Sequence, residues 1–157
     1  MVTGSDAAIV TTDHSSFNLV GNSDTVTLGA GSYVALIGGA GNAVSAAGSS
    51  MATTPNAGFI LLAGGTSVGL AAGDQVLTIL AYLAGDVISG LGGGNSIDVS
   101  DLSFASAALG FTGNAGGGAV VLTDGVHSAQ FQLNGSYDPT GFHLLADGTG
   151  GTRLSYG

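Results

Sequence analysis

Asp24-Thr25-Val26-Thr27-Leu28-Gly29-Ala30-Gly31-Ser32, followed at once by Tyr33-Val34-Ala35-Leu36-Ile37-Gly38-Gly39-Ala40-Gly41-Asn42 and then by Ala43-Val44-Ser45-Ala46-Ala47-Gly48-Ser49, is the stretch that decides the fold. Each unit is a few apolar or β-branched residues and then a glycine turn, and the unit is nine or ten residues long. Val, Ile, Thr and Tyr suit a pleated, half-buried strand, and glycine suits the tight turn that ends it. Strands this short are not stable alone. At constant spacing they read as a β-solenoid, in which each strand is buried by its stacked neighbours.

Working outward, residues 57–100 continue the pattern in looser form. Phe59 to Ala63 runs into Gly64-Gly65, Ser67 to Leu70 into Gly73-Asp74, and Gln75 to Leu83 into Gly85-Asp86. Residues 75–83 are apolar enough for a short helix, but their Val, Thr, Ile and Tyr favour a strand. Met51 to Gly58, with Pro55, is the expected break between two repeat blocks, and residues 1–20 read as a lead-in with strands at 8–10 and 17–20. The predicted organisation is a repeat region over 1–100 and an antiparallel cap over 101–157. In the cap, Asp124-Gly125 reads as a two-residue hairpin turn. Ala129, Phe131 and Leu133 alternate with Ser128, Gln130 and Gln132, as in a strand buried on one face. The expected fold class is all-β: parallel β-solenoid or β-roll-like repeats followed by an antiparallel hairpin cap.

Composition agrees with that reading and excludes several functions. The 157 residues hold 30 glycines, ten aspartates, no glutamate, no lysine and one arginine, Arg153, for a net charge of −9. Without Glu, Lys and Arg a helix has no ordinary solvent face. One arginine cannot neutralise a phosphate backbone, so no nucleic-acid partner is expected. No apolar run is long and uninterrupted enough to cross a bilayer as a helix, so no membrane insertion is expected. There is no cysteine, hence no disulfide or thiol metal site. No HExxH or phosphate-binding Gly-x-x-x-x-Gly-Lys motif occurs, and no glutamate is present to serve as a general acid, so no enzyme activity is expected. His14, His127 and His143 read as surface or strand-face residues. Thr25 and Thr27 form a single Thr-x-Thr, which is not a ladder.

The units from Asp24 to Gly31 and Gly38 to Asn42 resemble degenerate repeats of the RTX β-roll type. Ser96 to Leu102 resembles the stretch that ends such arrays. The part of the chain that runs from Leu109-Gly110-Phe111-Thr112-Gly113-Asn114 to Asp147-Gly148-Thr149-Gly150-Gly151-Thr152 resembles C-terminal modules of large proteobacterial surface proteins. The resemblance implies type I secretion to the medium or the cell surface, without a cleaved N-terminal signal. Met1 to Asp6 lacks the basic and apolar regions of a Sec signal. The resemblance also implies calcium held in the turns. Here the sequence departs from the pattern, because the aspartate position of successive units reads Asp24, Tyr33, Ala43. A hard cation takes six to eight oxygens, so few or weak sites are expected there. The candidate calcium ligands are Asp24, Asp74, Asp86, Asp98 and Asp101, each of which can equally serve as a turn residue that hydrogen-bonds local backbone.

Hydrophobic residues make up 45% of the chain and charged ones 7%. A small soluble surface ordinarily carries roughly 25–35% charge. Stacked strands with open ends and so little charge to block pairing have another copy of themselves as their natural partner. The expectation is therefore a self-associating extracellular structural protein in a filament, matrix or surface layer. The alternatives are an adhesin or carbohydrate-binding module, with extracellular polysaccharide as partner of Ser128, Gln130 and Gln132, and an accessory RTX-like module of a polysaccharide-modifying enzyme.

Overall fold

The computed structural model describes residues 1–36, 42–45, 48–53, 58–61, 64–71, 76–81, 84–114 and 116–157. Twelve short strands come first: β1 (Val2–Thr3), β2 (Ala8–Val10), β3 (Ser16–Val20), β4 (Thr25–Thr27), β5 (Tyr33–Leu36), β6 (Asn42–Ser45), β7 (Ser50–Thr53), β8 (Gly58–Leu61), β9 (Ser67–Gly69), β10 (Val76–Ile79), β11 (Ala84–Ser89) and β12 (Ser96–Val99). Five further strands follow: β13 (Ala108–Asn114), β14 (Gly117–Thr123), β15 (Ser128–Asn134), β16 (Phe142–Ala146) and β17 (Thr152–Tyr156).

The first twelve alternate between two sheets. Odd-numbered strands form one sheet and even-numbered strands the other, all pairing in parallel. The chain is thus a two-sheet β-solenoid, and the nine-residue unit legible in the sequence is half a coil. Partners in neighbouring coils stand seventeen residues apart, as Ser16 with Tyr33 and Tyr33 with Ser50. The spacing widens to twenty where Ser67 meets Val87. Residues 1–20 are the first coil of the stack rather than a lead-in, because β1 and β2 pair with β3 and β4. Parallel pairing continues through β7 and β8, on either side of residues 54–57. Val76–Ile79 is a strand, as its β-branched content favours.

Each strand turns alternate residues inward. Val26, Val34, Leu36, Val44, Leu77, Ile88 and Ile97 are all fully buried. The coil turns demand a left-handed backbone at fixed intervals. Gly31, Gly48, Gly65 and Gly85 stack at one corner with φ between 66° and 83°, a region that costs L-residues with a Cβ about 1 kcal/mol or more. In the first coil His14 occupies that corner at φ 56°.

The last five strands are antiparallel and extend both sheets. In the first sheet β15 lies beside β11, then β14, then β13; in the second β17 lies beside β12, then β16. Ala129, Phe131 and Leu133 point inward and are buried, while Ser128, Gln130 and Gln132 are exposed. The turn between β14 and β15 is wider than the two residues expected from Asp124-Gly125. The strands part at Thr123 and Ser128. The Asp124 carboxylate accepts the N–H groups of Val126 (2.8 Å), His127 (2.6 Å) and Ser103 (2.9 Å), and the Asp124 N–H donates to the His127 carbonyl (3.3 Å), which ties the four-residue loop together. Asn134-Gly135 does not make a hairpin; it leads the chain across from one sheet to the other.

Between the far edges of the two sheets sits a cluster of four rings. Phe142 on β16 lies 4.9 Å from Phe111 on β13, 5.1 Å from Tyr156 and 5.7 Å from Tyr137, centre to centre. Gly113 and Gly118, paired across β13 and β14, leave room for the Phe111 ring. A Cβ on either would stand 2.6 Å or 2.7 Å from it.

Candidate functional site

The corners of the coils carry columns of buried polar side chains. Ser15, which is half-buried, and Ser32, Ser49 and Thr66 each precede a strand of the first sheet, and Asp86 takes the corresponding place within β11. In this column a side-chain oxygen accepts the backbone N–H of the residue one coil earlier: Ser32 Oγ from Ser15 (3.1 Å), Ser49 Oγ from Ser32 (3.3 Å), Asp86 Oδ1 from Thr66 (2.9 Å). The hydroxyls of Ser32 and Ser49 then donate to the carbonyls of Thr12 and Gly29. At the opposite corner Asp24 Oδ1 accepts from Ala7 (2.8 Å), and Asn42 Oδ1 accepts from Asp24 (3.0 Å). These bonds satisfy N–H groups that the turns would otherwise bury without partners.

The column distinguishes Asp from Asn. Asn42 uses its second polar atom to donate to the Gly21 carbonyl (3.3 Å), and Asn95 donates to the carbonyls of Ala71 and Gly90 (both 2.8 Å). The second oxygens of Asp24 and Asp86 are buried and make no hydrogen bond. Both residues are 1% exposed. Burial raises the Asp86 carboxyl above the ordinary aspartate range, opposed by the backbone N–H groups of Thr66 and Gly65.

The five candidate calcium ligands therefore occupy different situations. Asp24 and Asp86 sit in separate columns. Asp101 accepts the Ala81 N–H at 2.8 Å and repeats the column chemistry after β12. Asp98 lies on β12 with Thr78 beside it on one side and Arg153 on the other. Burial raises its carboxyl, as does nearby Asp147, while Arg153 and the Thr78 hydroxyl act the other way. Asp74 lies outside the described residues. Among the described residues no three Asp, Glu, His or Cys side chains converge on a point that could hold a metal ion. Among the described residues, the candidate ligands with a buried carboxylate oxygen that makes no hydrogen bond are Asp24, Asp86 and Asp98, one oxygen each, and any cation there would need backbone carbonyls to complete a shell.

The histidines stand apart. His127 Nδ1 lies 3.2 Å from Asp124 Oδ2, His143 Nε2 lies 2.9 Å from the Gly157 carbonyl, and the His14 ring lies against Gly31. Thr25 and Thr27 are exposed on β4, flanked by Ala8 and Val10 on one side and Ala43 and Ser45 on the other. Val87, Gln132, Asn134 and Asn114 border an open depression of about 440 Å³ on the outer face of the first sheet. No helix among the described residues is long and apolar enough to cross a membrane.

The ends of the solenoid are its most distinctive surface. Four edge strands terminate the two sheets: β1 and β2 at the N-terminal end, β13 and β16 at the other. None of the four contains Asp, Glu, Lys, Arg or Pro, and His143 is their sole titratable residue. At the N-terminal end Val2, Ile9 and Phe17 are only partly buried, and among the described residues no ring cluster covers them. The sequence displayed the apolar strands but not which of them would be edges. The columns had a readable signal, since Ser15, Ser32, Ser49 and Thr66 recur every seventeen residues.

Comparison of the chain with family models, curated proteins and solved structures finds no match. The geometry defines the class of protein, an all-β two-sheet solenoid with antiparallel terminal strands.

Proposed function

We propose that this chain is a structural subunit that associates with itself outside the cell, in a filament, matrix or surface layer. The observation that carries the reading is the absence of charge and proline from all four edge strands. Soluble β-proteins protect their edges with lysine, proline, bulges or covering loops, because an open strand templates the next chain. The apolar surface agrees: Met1 and Val10 at one end and Leu145 at the other are 84%, 79% and 49% exposed. RTX-like export without a cleaved signal is part of the same reading and rests on the repeat resemblance. Light scattering across a concentration series tests it. Mass should rise with concentration, and a single-chain mass throughout would overturn the proposal.

Calcium enters as a modest stabiliser bound through Asp24 and Asp86, each contributing its unpaired oxygen. Calcium should raise the melting temperature of the wild-type chain and not of Asp24→Asn/Asp86→Asn. An equal response in both would remove the ion from the account.

A specific observation favours one second reading. The amides of Gln132, Asn134 and Asn114 around the open depression suit sugar hydroxyls, as an adhesin or carbohydrate-binding module requires. Retention of a chain of single mass on a polysaccharide column, lost in Gln132→Ala, would select that reading.

A further inference from the structure

We infer that copies of this chain join end to end in one direction, the C-terminal edges β13 and β16 of one copy receiving the N-terminal coil of the next. The inference rests on the self-association reading and adds the joint and its polarity. It follows from how the two sheets finish. In the first sheet β15 keeps the direction of β11, β14 reverses it and β13 restores it. In the second sheet β17 reverses the direction of β12 and β16 restores it. Both terminal edges thus run the same way as the coil strands of their own sheet. A following copy in the same orientation would continue both sheets in parallel. A copy turned end over end would present antiparallel strands instead.

Registers make the two ends complementary. Followed across the hydrogen-bonded partners of the first sheet, the row through Ser16 ends on Thr112 and the row through Asn18 ends on Asn114. β1 covers only Leu19 and Val20 of β3 and leaves Ser16 to Asn18 without a strand beside them. That gap is the span matched by the end of β13. β13 of one copy and β1 of the next then share one level of the first sheet, a joint that requires Met1, 84% exposed and next to the Asn18 row, to turn aside. In the second sheet the row through Ala8 ends on Leu145. Seating β2 on β16 therefore sets Ala8 beside Leu145, with Val10 on the diagonal, a spacing at which large side chains touch. Two of the exposed apolar side chains are covered by one joint. The partly buried Val2, Ile9 and Phe17 would meet the Phe111 end of the ring cluster.

With that shared level both sheets repeat after eight strands. At about 4.8 Å per strand the axial repeat is about 38 Å. A contact between two different surfaces that does not close on itself generates an open filament.

The test uses the lack of native cysteine. Ala8→Cys and Leu145→Cys are made separately; both positions are exposed. Each variant is checked for a strand-type circular-dichroism spectrum and treated with a short thiol–thiol cross-linker, alone and as an equal mixture. The expected result is cross-linked dimers from the mixture and a loss of at least tenfold in dimer from either variant alone. Dimers from Ala8→Cys alone would show an end-over-end joint. Polymers without mixed dimers would show a lateral one. Either outcome overturns this inference and leaves self-association standing. Chains that stay single in light scattering overturn both. Electron micrographs of the wild-type chain supply the second reading, an axial repeat near 38 Å, and its absence from filaments counts against the joint.

Discussion

The two ends of the solenoid are built from the same kind of strand and finished differently. At the C-terminal end, Phe111, Tyr137, Phe142 and Tyr156 bridge the two sheets with ring contacts of 4.9–5.7 Å. At the N-terminal end the two edge strands have two and three residues, and Val2, Ile9 and Phe17 are all partly exposed. One end has an interior of its own; the other borrows half of one. The difference shows that a solenoid can fold on internal stacking and still leave one end incompletely covered.

The sharpest way to break that contrast is to delete apolar bulk at each end. Phe142 is 8% exposed, and Phe142→Ala should cost about 3–5 kcal/mol in urea unfolding of the single chain. Ile9→Ala should cost about 1 kcal/mol, because its surface is only partly removed from water. Equal losses would mean that the N-terminal coil is as well packed as the cap. Raising the protein concentration should increase the Ile9→Ala loss, since association covers that side chain.

A second contrast is electrostatic. Folding raises the carboxyls of Asp86 and Asp98, in the coils, chiefly through burial. Their contribution is fully present below the unfolded value, near pH 4, and is lost as pH rises through the raised folded values. The turns of the cap act the other way. Backbone N–H groups, that of His127 first, hold Asp124 well below the ordinary range. The hydroxyl and N–H groups of Thr140 and Thr149 lower Asp138 and Asp147. That contribution is present above about pH 4 and is lost as pH falls through the lowered values. Stability measured against pH should therefore fall on both sides of a mildly acidic maximum. Asp86→Asn should flatten the limb towards neutral pH and gain about 1 kcal/mol at pH 7. Asp124→Asn should flatten the acid limb. A pH profile unchanged by Asp86→Asn would mean that its buried oxygen is satisfied in solution.

The smallest effect concerns the corner where the first coil departs from the rest. His14 takes the left-handed conformation that Gly31, Gly48, Gly65 and Gly85 take in later coils. His14→Gly should gain up to about 1 kcal/mol by thermal unfolding. A loss would show that the ring's contact with Gly31 outweighs the backbone strain.

Much of this molecule was legible before its structure. The alternation of Ala129, Phe131 and Leu133 with Ser128, Gln130 and Gln132 fixes which face is buried, because a strand has a period of two. The glycine turns follow from the backbone conformation that each corner requires. Less of the candidate site was legible. Asp24, Asp86 and Asp101 were readable as turn residues, but their bonds run to N–H groups seventeen to twenty residues away. The ring cluster joins residues that are distant in the chain, and no local pattern connects Phe111 to Phe142.

By itself the sequence determined the strands, the turns and the inward faces, since these depend on a residue and its near neighbours. The tertiary structure decided which strands are edges, which way those edges run and what each end leaves uncovered. Those properties belong to the register between segments far apart in the chain, and they appear only when the coils are stacked.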